Sequence, residues 1–563
     1  MGVRYDAVVI GSGAAGGAVA FMLTKVGLEV AVVEKGKTLN RQDFSKDEIA
    51  YCRRDIVTPN LFDEYHVIET QRADGSWEAT PTYETGVSFW NGNILGGSSN
   101  LMSGMFHRMH PDDFRLLSRY GAIDGANVVD WPITYDDLEP YYTLAETLVG
   151  ISGKFEPHPF EPPRSTPDFP YPPTKENAIV KRFDAACRSL GITPLVTPRA
   201  VLSRDAHGRK GCYYSNFCGS YGCSSGAKGS SREAFIVPAL RTKRLHLHTQ
   251  THVLRLLSDA TRVYAAECID TRTMRTFRLE ADLFIVAAQA HESVRLLFNS
   301  ANRYHPEGIG NRTGQLGKNL IFSGGGFGTG ALHRSDLNRE TFDALMEPGW
   351  FVNRSILDWY AVDDWWHGRF KGGLVEWMFE HQNIISRALH ETTDAQGKLI
   401  WGEALTQRLQ RRFNDHKTLR FEIFNDWLPT DQCYVTVDTT HKDRFGMPVG
   451  KLRIWGHPHD RKVGRFIAEK CERILKRMKA RNITSSISSA PSQNLIAGGC
   501  RFGHDPRTSV LDPQCKVHGM DNLYVADASF MPTGGSVPYT WTIYANALRI
   551  GDILAKRYGK PTR

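Results

Sequence analysis

Three sets of residues in this 563-residue chain have types and spacings that could do chemistry. Gly11, Gly13 and Gly16 form G-x-G-x-x-G, and Glu34 follows 18 residues after the last of them. The first glycine permits a tight turn, the second lets backbone approach a pyrophosphate, and the third lets a helix pack closely on a strand. A helix N-terminus just past the turn offers free N–H groups and a positive dipole end to phosphate. A carboxylate at Glu34 would accept hydrogen bonds from ribose hydroxyls and repel a 2′-phosphate, which disfavours NADP. The second set is Cys212, Cys218 and Cys223 in "CYYSNFCGSYGC". Three thiolates on one loop could hold an iron–sulfur cluster, with [3Fe–4S] matching three cysteine ligands. The alternatives are a disulfide between two of them or free thiols packed as small apolar groups. The third is "HPHD" at 457–460, two histidines and an acid at metal-like spacing with no further cluster to complete a site.

The elements that must position these groups can be read from periodicity. Ala7 to Ile10 form a short apolar strand, Val19, Leu23 and Val26 continue at helical spacing, and Val30 to Val33 form a second buried strand that Glu34 ends. "ADLFIVAAQAHESVRLLFNSAN" (281–302) is an apolar strand, a small-residue turn and a helix, and "NLYVADAS" supplies a later strand. FAD stretched along a discontinuous domain fits this order better than NAD. Residues 330–455 carry five tryptophans in one stretch and an alternating strand–turn–strand, "YVTVDTTHKDRFGMPVGKLRIWG", which suggest an antiparallel sheet roofing the cofactor. Aromatic faces there could stack on a sugar ring or pack as core. "FEPHPFEPPRSTPDFPYPP" (155–173) can be neither helix nor central strand and is expected as an extended arm. A final helix from Thr540 to Tyr558 puts Ile543, Ala547, Ile550 and Leu554 on one face, a core pattern.

Composition bounds the rest. Hydrophobic residues make up 41% and charged residues 23%, ordinary for a globular chain of two or more domains. The net charge of +8 is spread without a Lys/Arg block, so nucleic-acid binding is not expected. No apolar run approaches the roughly 20 residues that span a bilayer. Ten cysteines in this length do not suggest a disulfide scaffold. "MGVRYDAVVIGSG" has no basic, apolar and small-residue succession of a signal peptide, so a cytoplasmic location is expected, with export alongside a signal-bearing partner subunit as the alternative.

Several blocks together resemble the glucose–methanol–choline (GMC) family of FAD-dependent oxidoreductases. They are "NGNILGGSSNLMSGMFHRMHPDDF" (91–114), "AAQAHESVRLLFNS", "GQLGKNLIFS" (314–323) and "HDPRTSVLDPQCKVHGMDNLYVADASFMPTGG". Gln289 and Ser323 depart from the family pattern, where glycine and histidine are usual. "GCYYSNFCGSYGCSSGAKGSSREAFIVPAL" (211–240) resembles the bacterial branch of sugar and gluconate dehydrogenases and glycoside oxidases. The resemblance implies an α/β fold of two domains. A Rossmann-like FAD-binding domain would comprise 1–45, 86–120, 206–330 and 456–563, and an antiparallel-sheet substrate domain with arms 46–85, 121–205 and 331–455. It also implies that Gly11, Gly13, Gly16 and Glu34 meet the pyrophosphate and ribose. Gly96, Gly97, Ser98, Ser99 and Asn100 would face the flavin ring, Asp527 and Ala528 the pyrophosphate and ribityl chain, and Val537, Pro538, Tyr539 and Thr540 the pyrimidine edge. In the related dehydrogenases a [3Fe–4S] cluster passes electrons to a partner subunit, which the three cysteines would allow.

The resemblance also exposes a gap. Such enzymes oxidise an alcohol by passing hydride to flavin N5 while a histidine takes the hydroxyl proton, with a second histidine or asparagine on the alcohol oxygen. Those positions hold Leu495 and Pro538. Tyr539, directly after Pro538, and His504, nine residues after Leu495, are the candidate replacements. Two further readings compete: flavin chemistry that abstracts no hydroxyl proton, such as desaturation, isomerisation or a lyase reaction, and an FAD-binding partner subunit without activity. His107 and His110 lie near the flavin-facing loop as formal candidates for covalent attachment of the flavin.

Overall fold

A computed structural model describes residues 4–49, 60–347, 351–364, 368–487 and 495–560. The opening strand Arg4–Ile10, helix Ala14–Lys25 and strand Val30–Val33 form as their periodicity dictates. They found a seven-stranded sheet in the order Leu245–His248, Val30–Val33, Arg4–Ile10, Thr276–Val286, Val263–Asp270, Thr251–Ser258, with Leu523–Val525 also paired to Thr276–Val286. The first four strands run parallel and the last two turn antiparallel. Parallel strands are covered on both faces, so they read as unbroken apolar runs, and Ala7, Val8 and Val9 are fully buried. Helix Ala14–Lys25 packs on the last helix, Thr540–Tyr558, and Val19 and Leu23 on the first and Ala547, Ile550 and Leu554 on the second are all buried. Each such Leu or Ile contributes about 1.5–3 kcal/mol through burial.

A second sheet of six strands runs Arg481–Ile487, Gly326–His333, His416–Asn425, Gly373–Phe379, Arg354–Ile356, Pro194–Val196. Its two central pairs are antiparallel, with Glu422 opposite both Phe327 and Glu376. One face, carrying Leu419, Phe421, Ile423, Val375 and Trp377, buries against helix Pro458–Arg477 in a separate core. The other carries Phe424 and Leu374, which join the core of the first domain. This sheet, with its helix on the far side, is the antiparallel sheet of the second domain.

Two particulars correct the sequence reading, and two more decide between readings that it left open. The hairpin Tyr434–Lys442 and Pro448–Arg453 does not join the roof. It pairs with Val67–Gln71 and Trp77–Pro81 in a separate four-stranded sheet beside helix Ala290–Asn299. Strand Gly326–His333, helix Pro458–Arg477 and strand Arg481–Ile487 pack with the second sheet, not with the FAD-binding segments to which 206–330 and 456–563 assign them. "HPHD" is a helix start: the His457 ring accepts from the His459 N–H at 3.1 Å and Asp460 accepts from the Leu428 N–H at 3.1 Å, so these groups are spent on capping and docking. Of the five tryptophans, Trp359 and Trp377 are core residues, while Trp350, Trp365 and Trp366 lie outside the described residues. Residues 155–173 form no helix or extended strand, as the prolines dictate.

Candidate functional site

A single cavity of about 740 Å³ runs from the glycine turn to the underside of the second sheet. One end is lined by Gly11, Gly13, Glu34, Thr251, His252 and Gln289, the other by Arg420, Glu422, Phe424, Leu495, Pro538 and Tyr539.

The glycine turn fits a dinucleotide. A side chain on Gly16 would overlap the Gly11 carbonyl, and one on Gly11 would overlap the Ala287 carbonyl, so these two close the turn on itself and on the neighbouring strand end. A Cβ on Gly13 would meet no atom within 4 Å. That space opens on the cavity at the N-terminus of helix Ala14–Lys25, where the first N–H groups have no helical partner. Glu34 is buried, and burial raises its carboxyl above the usual range against the hydrogen bonds that hold it. Oε2 accepts from Ser12 Oγ at 2.5 Å and from the Ser12 N–H at 3.2 Å, and Oε1 from the Gly36 N–H at 2.8 Å. Ser12 then links this end to the glycine-rich loop: its Oγ accepts from the Gly96 N–H at 2.8 Å and its carbonyl from Ser231 Oγ at 2.8 Å. Ser12 was not singled out above, although its place inside the motif was the available signal.

The loop itself forms a short helix, Gly97–Leu101, opened by Gly96 and Gly97 at φ +93° and +59°, a region open to glycine. Gly97, Ser98 and Ser99 line the cavity, as do Asp527, Ala528, Pro538, Tyr539 and Thr540. Gly16, Gly96, Asn100 and Val537 do not, and each has a packing task instead. The Asn100 amide donates to the Leu95 and Gly97 carbonyls at 3.0 and 2.9 Å, holding the loop closed. A side chain on Gly96 would crowd Asn100 and Arg232. Val537 is buried beside Trp541 and Phe160. Asp527 accepts from Ser293 Oγ and from Ser529 Oγ at 2.7 Å, and burial raises its carboxyl.

At the far end the expected histidine position is apolar: Leu495 is half-buried and packs on the main core. Tyr539 is almost wholly buried, its hydroxyl has no partner among the described residues, and burial holds the phenol well above its ordinary value. His504 stands exposed on its loop and does not line the cavity. His107 and His110 also stay out of it: His107 pairs with Glu376 and His110 caps the short helix Pro111–Arg115. Sequence reasoning missed His381, Arg420 and Glu422, which line this end. Burial, reinforced by Arg420, Arg199 and Lys228, lowers His381 to about 4. Burial raises Glu422 against the opposing pull of Arg420.

All nine described cysteines are free, so no disulfide joins Cys212, Cys218 and Cys223. Cys212 and Cys223 pack half-buried against Val201, Leu202 and Ala227. Lys228 is buried beneath the loop and donates to the carbonyls of Asn100, Cys218 and Tyr221 at 3.1, 2.8 and 2.8 Å. Burial brings Lys228 down to about 8. Burial raises the Cys223 thiol, but the Lys228 and Lys46 cations and the hydrogen bonds from Ser225 and the Lys228 backbone together outweigh it and leave the thiol below its ordinary value. Among the described residues, His66, His291 and Glu292 are the His, Cys or carboxylate set whose donor atoms all lie within 4.8 Å. Arg295 already sits 3.3 Å from Glu292 and acts on it with His66, so this is an ion network.

Similarity to known proteins follows the same geometry. Two family models described as GMC oxidoreductase match residues 5–322 and 429–547. The 6'''-hydroxyparomomycin C oxidase of Streptomyces lividus is 31% identical over 98% of this chain and 91% of its own. The fructose dehydrogenase large subunit of Gluconobacter japonicus is 25% identical over 98% of this chain and 97% of its own. The crystal structure of pyridoxine 4-oxidase from Mesorbium loti superposes with a TM-score of 0.61, covering 98% of this chain and 99% of that one at 18% identity. That last likeness is one of fold.

Proposed function

Because the chain belongs to the GMC oxidoreductase family and is an FAD-dependent oxidoreductase, we propose that it oxidises the hydroxyl group of an alcohol or sugar-like substrate. The observation that carries this reading is the continuity of the cavity, from the open space beside Gly13 to a chamber under the second sheet lined by Arg420, Glu422 and Tyr539 among apolar side chains. Bound FAD supplies the two-electron oxidant that accepts the substrate hydride. The chain's own residues do the rest. Gly11, Gly13 and the start of helix Ala14–Lys25 take the pyrophosphate, Glu34 the ribose, Gly97 to Ser99 one face of the ring system, and Asp527, Ala528 and Pro538 to Thr540 its remaining edges. Tyr539, kept neutral by burial, donates its hydroxyl proton in a hydrogen bond to the substrate oxygen. The names of two relatives, an oxidase of 6'''-hydroxyparomomycin C and a fructose dehydrogenase, support a hydroxyl-bearing, sugar-like substrate. The test is anaerobic exposure of the purified yellow protein to a panel of alcohols and sugars. Bleaching of the flavin absorbance by at least one supports the reading, and indifference to all of them rejects it.

Leu495 and Pro538 favour a second reading, in which no hydroxyl proton is taken and product forms without net bleaching. A [3Fe–4S] cluster on Cys212, Cys218 and Cys223 is the further proposal for the cysteine loop, supported by three free thiols above a buried cation. Iron analysis with an EPR spectrum decides it: iron-free protein removes the cluster and the argument for an electron-accepting partner subunit together.

A further inference from the structure

The chamber lacks an imidazole at position 495, yet its roof carries a free carboxylate. On strand His416–Asn425, Leu419, Phe421 and Ile423 are committed to the core beneath helix Pro458–Arg477. Alternation then turns Arg420, Glu422 and Phe424 to the opposite face, and all three line the cavity together with Leu495, Pro538 and Tyr539. Two carboxylates face each other across the sheet there, Glu376 and Glu422. Glu376 is spent: it is fully buried, pairs with His107 and accepts from Thr197 Oγ1 at 2.8 Å. The Glu422 backbone is held in the strand ladder, and its carboxylate makes no hydrogen bond or ion pair with a described residue. Arg420, two residues along the same strand, is half-buried, its Nε buried without a partner among the described residues and its guanidinium 4.5 Å above the Phe327 ring.

The other titratable groups at this end are poor proton acceptors. Burial holds Tyr539 as a neutral phenol, which has no lone anionic site to offer. His381 is neutral, but burial and the cations Arg420, Arg199 and Lys228 oppose the imidazolium that proton transfer would create. Burial raises Glu422 toward the range where a carboxylate is a stronger base, Arg420 draws it back, and Glu376 adds a smaller upward push. Strand Gly326–His333 brings only the uncharged Phe327 opposite it.

We propose that Glu422 is the catalytic base that takes the substrate's hydroxyl proton, in place of the histidine that Leu495 replaces. This rests on the alcohol-oxidation reading above. In the step, the O–H bond breaks and its proton passes to a Glu422 carboxylate oxygen. The C–H bond breaks and its electron pair leaves as hydride to the bound flavin. The C=O bond forms, so the substrate loses two electrons and two hydrogens in all. Glu422 then gives its proton to water at the cavity mouth.

The experiment compares FAD-loaded wild type, Glu422→Gln and Glu422→Asp. Glutamine keeps shape and removes the basic site, so FAD content and thermal midpoint stay at the wild-type values. Anaerobic flavin reduction by a bleaching alcohol falls about 10²- to 10⁴-fold, the usual contribution of a positioned base. The ascending limb of the wild-type pH profile, which reports ionisation of Glu422, disappears in Glu422→Gln and returns in part in Glu422→Asp. A readout independent of turnover is infrared difference titration: the C=O band of a protonated carboxyl titrating above the ordinary glutamate range is present in wild type and lost in Glu422→Gln. Wild-type reduction rate and pH limb retained in Glu422→Gln would remove Glu422 while leaving alcohol oxidation standing, as would absence of the band from wild type. Wild-type flavin bleached by no alcohol would remove the oxidation reading and the role of Glu422 with it.

Discussion

Two glycines three residues apart should respond to the same methyl group in opposite ways. Gly13 has φ −61° and ψ −164°, a backbone that alanine adopts freely, and an added Cβ meets no atom within 4 Å. Gly13→Ala therefore leaves the cofactor-free fold intact, or strengthens it by about 0.4–1 kcal/mol through the unfolded chain. The methyl does fill the opening at the helix start, however, and keeps a phosphate from the free N–H groups of Ala14 and Ala15. Losing two charge-assisted hydrogen bonds of about 1.5–3 kcal/mol each weakens FAD binding by about 3–6 kcal/mol, or roughly 10²- to 10⁴-fold. Gly16→Ala differs, because its Cβ overlaps the Gly11 carbonyl whether or not cofactor is present. It should cost about 1–3 kcal/mol in both forms. Urea unfolding with and without FAD separates the two. At a free FAD concentration of about 100 times Kd the wild type gains about 2.7 kcal/mol, and Gly13→Ala loses that gain while matching or exceeding wild type without FAD. If Gly13→Ala binds FAD within about fivefold of wild type, phosphate does not lie at this helix start and the reasoning fails.

Other expectations follow from the same contacts. Tyr539→Phe should keep FAD and its pH profile but slow flavin reduction roughly 10- to 100-fold, the loss of one hydrogen bond of about 1.5–3 kcal/mol to a developing charge; an unchanged rate would remove Tyr539 from the site. His504→Ala, on an exposed loop away from the cavity, should leave flavin reduction unaltered in stopped flow. Lys371 joins the buried carboxylates of Asp113 and Asp426 at 2.5 and 2.6 Å, and these charges hold its ammonium above the ordinary lysine value against burial. Its stabilisation is present below the ordinary lysine range and fades only as pH rises through the higher folded value. Lys371→Met should therefore destabilise by about 3–5 kcal/mol at neutral pH, read as a lower urea midpoint.

Local pattern made part of this molecule legible. The β–α–β opening and the final helix follow from periods of two and 3.6 within short windows, and Thr540–Tyr558 ends where its pattern ends. Glu34 could be placed because its distance from the glycines is fixed by one helix and one strand. The second sheet was harder, because its strands come from Pro194–Val196 to Arg481–Ile487 and pair across hundreds of residues. The hairpin at 434–453 alternates as cleanly as a roof strand, and only its parallel partner Val67–Gln71 assigns it to another sheet. Glu422 was missed for a similar reason. The run Leu419–Arg420–Phe421–Glu422–Ile423–Phe424 alternates two apolar sets with a charge on one face, which is the mark of a strand with a polar, enclosed side. What that side encloses depends on Leu495 and Tyr539, brought to it from other parts of the chain. His504 lies only nine residues from Leu495 in the sequence, but its side chain stands exposed on its loop.

On the proposed function, the chamber between Tyr539 and the second sheet removes hydride from a carbinol carbon. Anaerobic stopped-flow reduction of the FAD-loaded protein, using a bleaching alcohol with hydrogen or deuterium at that carbon, tests it most directly. Slower bleaching with the deuterated alcohol, in step with carbonyl product, is the predicted result. Carbonyl-free product, or oxidised flavin that no alcohol bleaches, would contradict it.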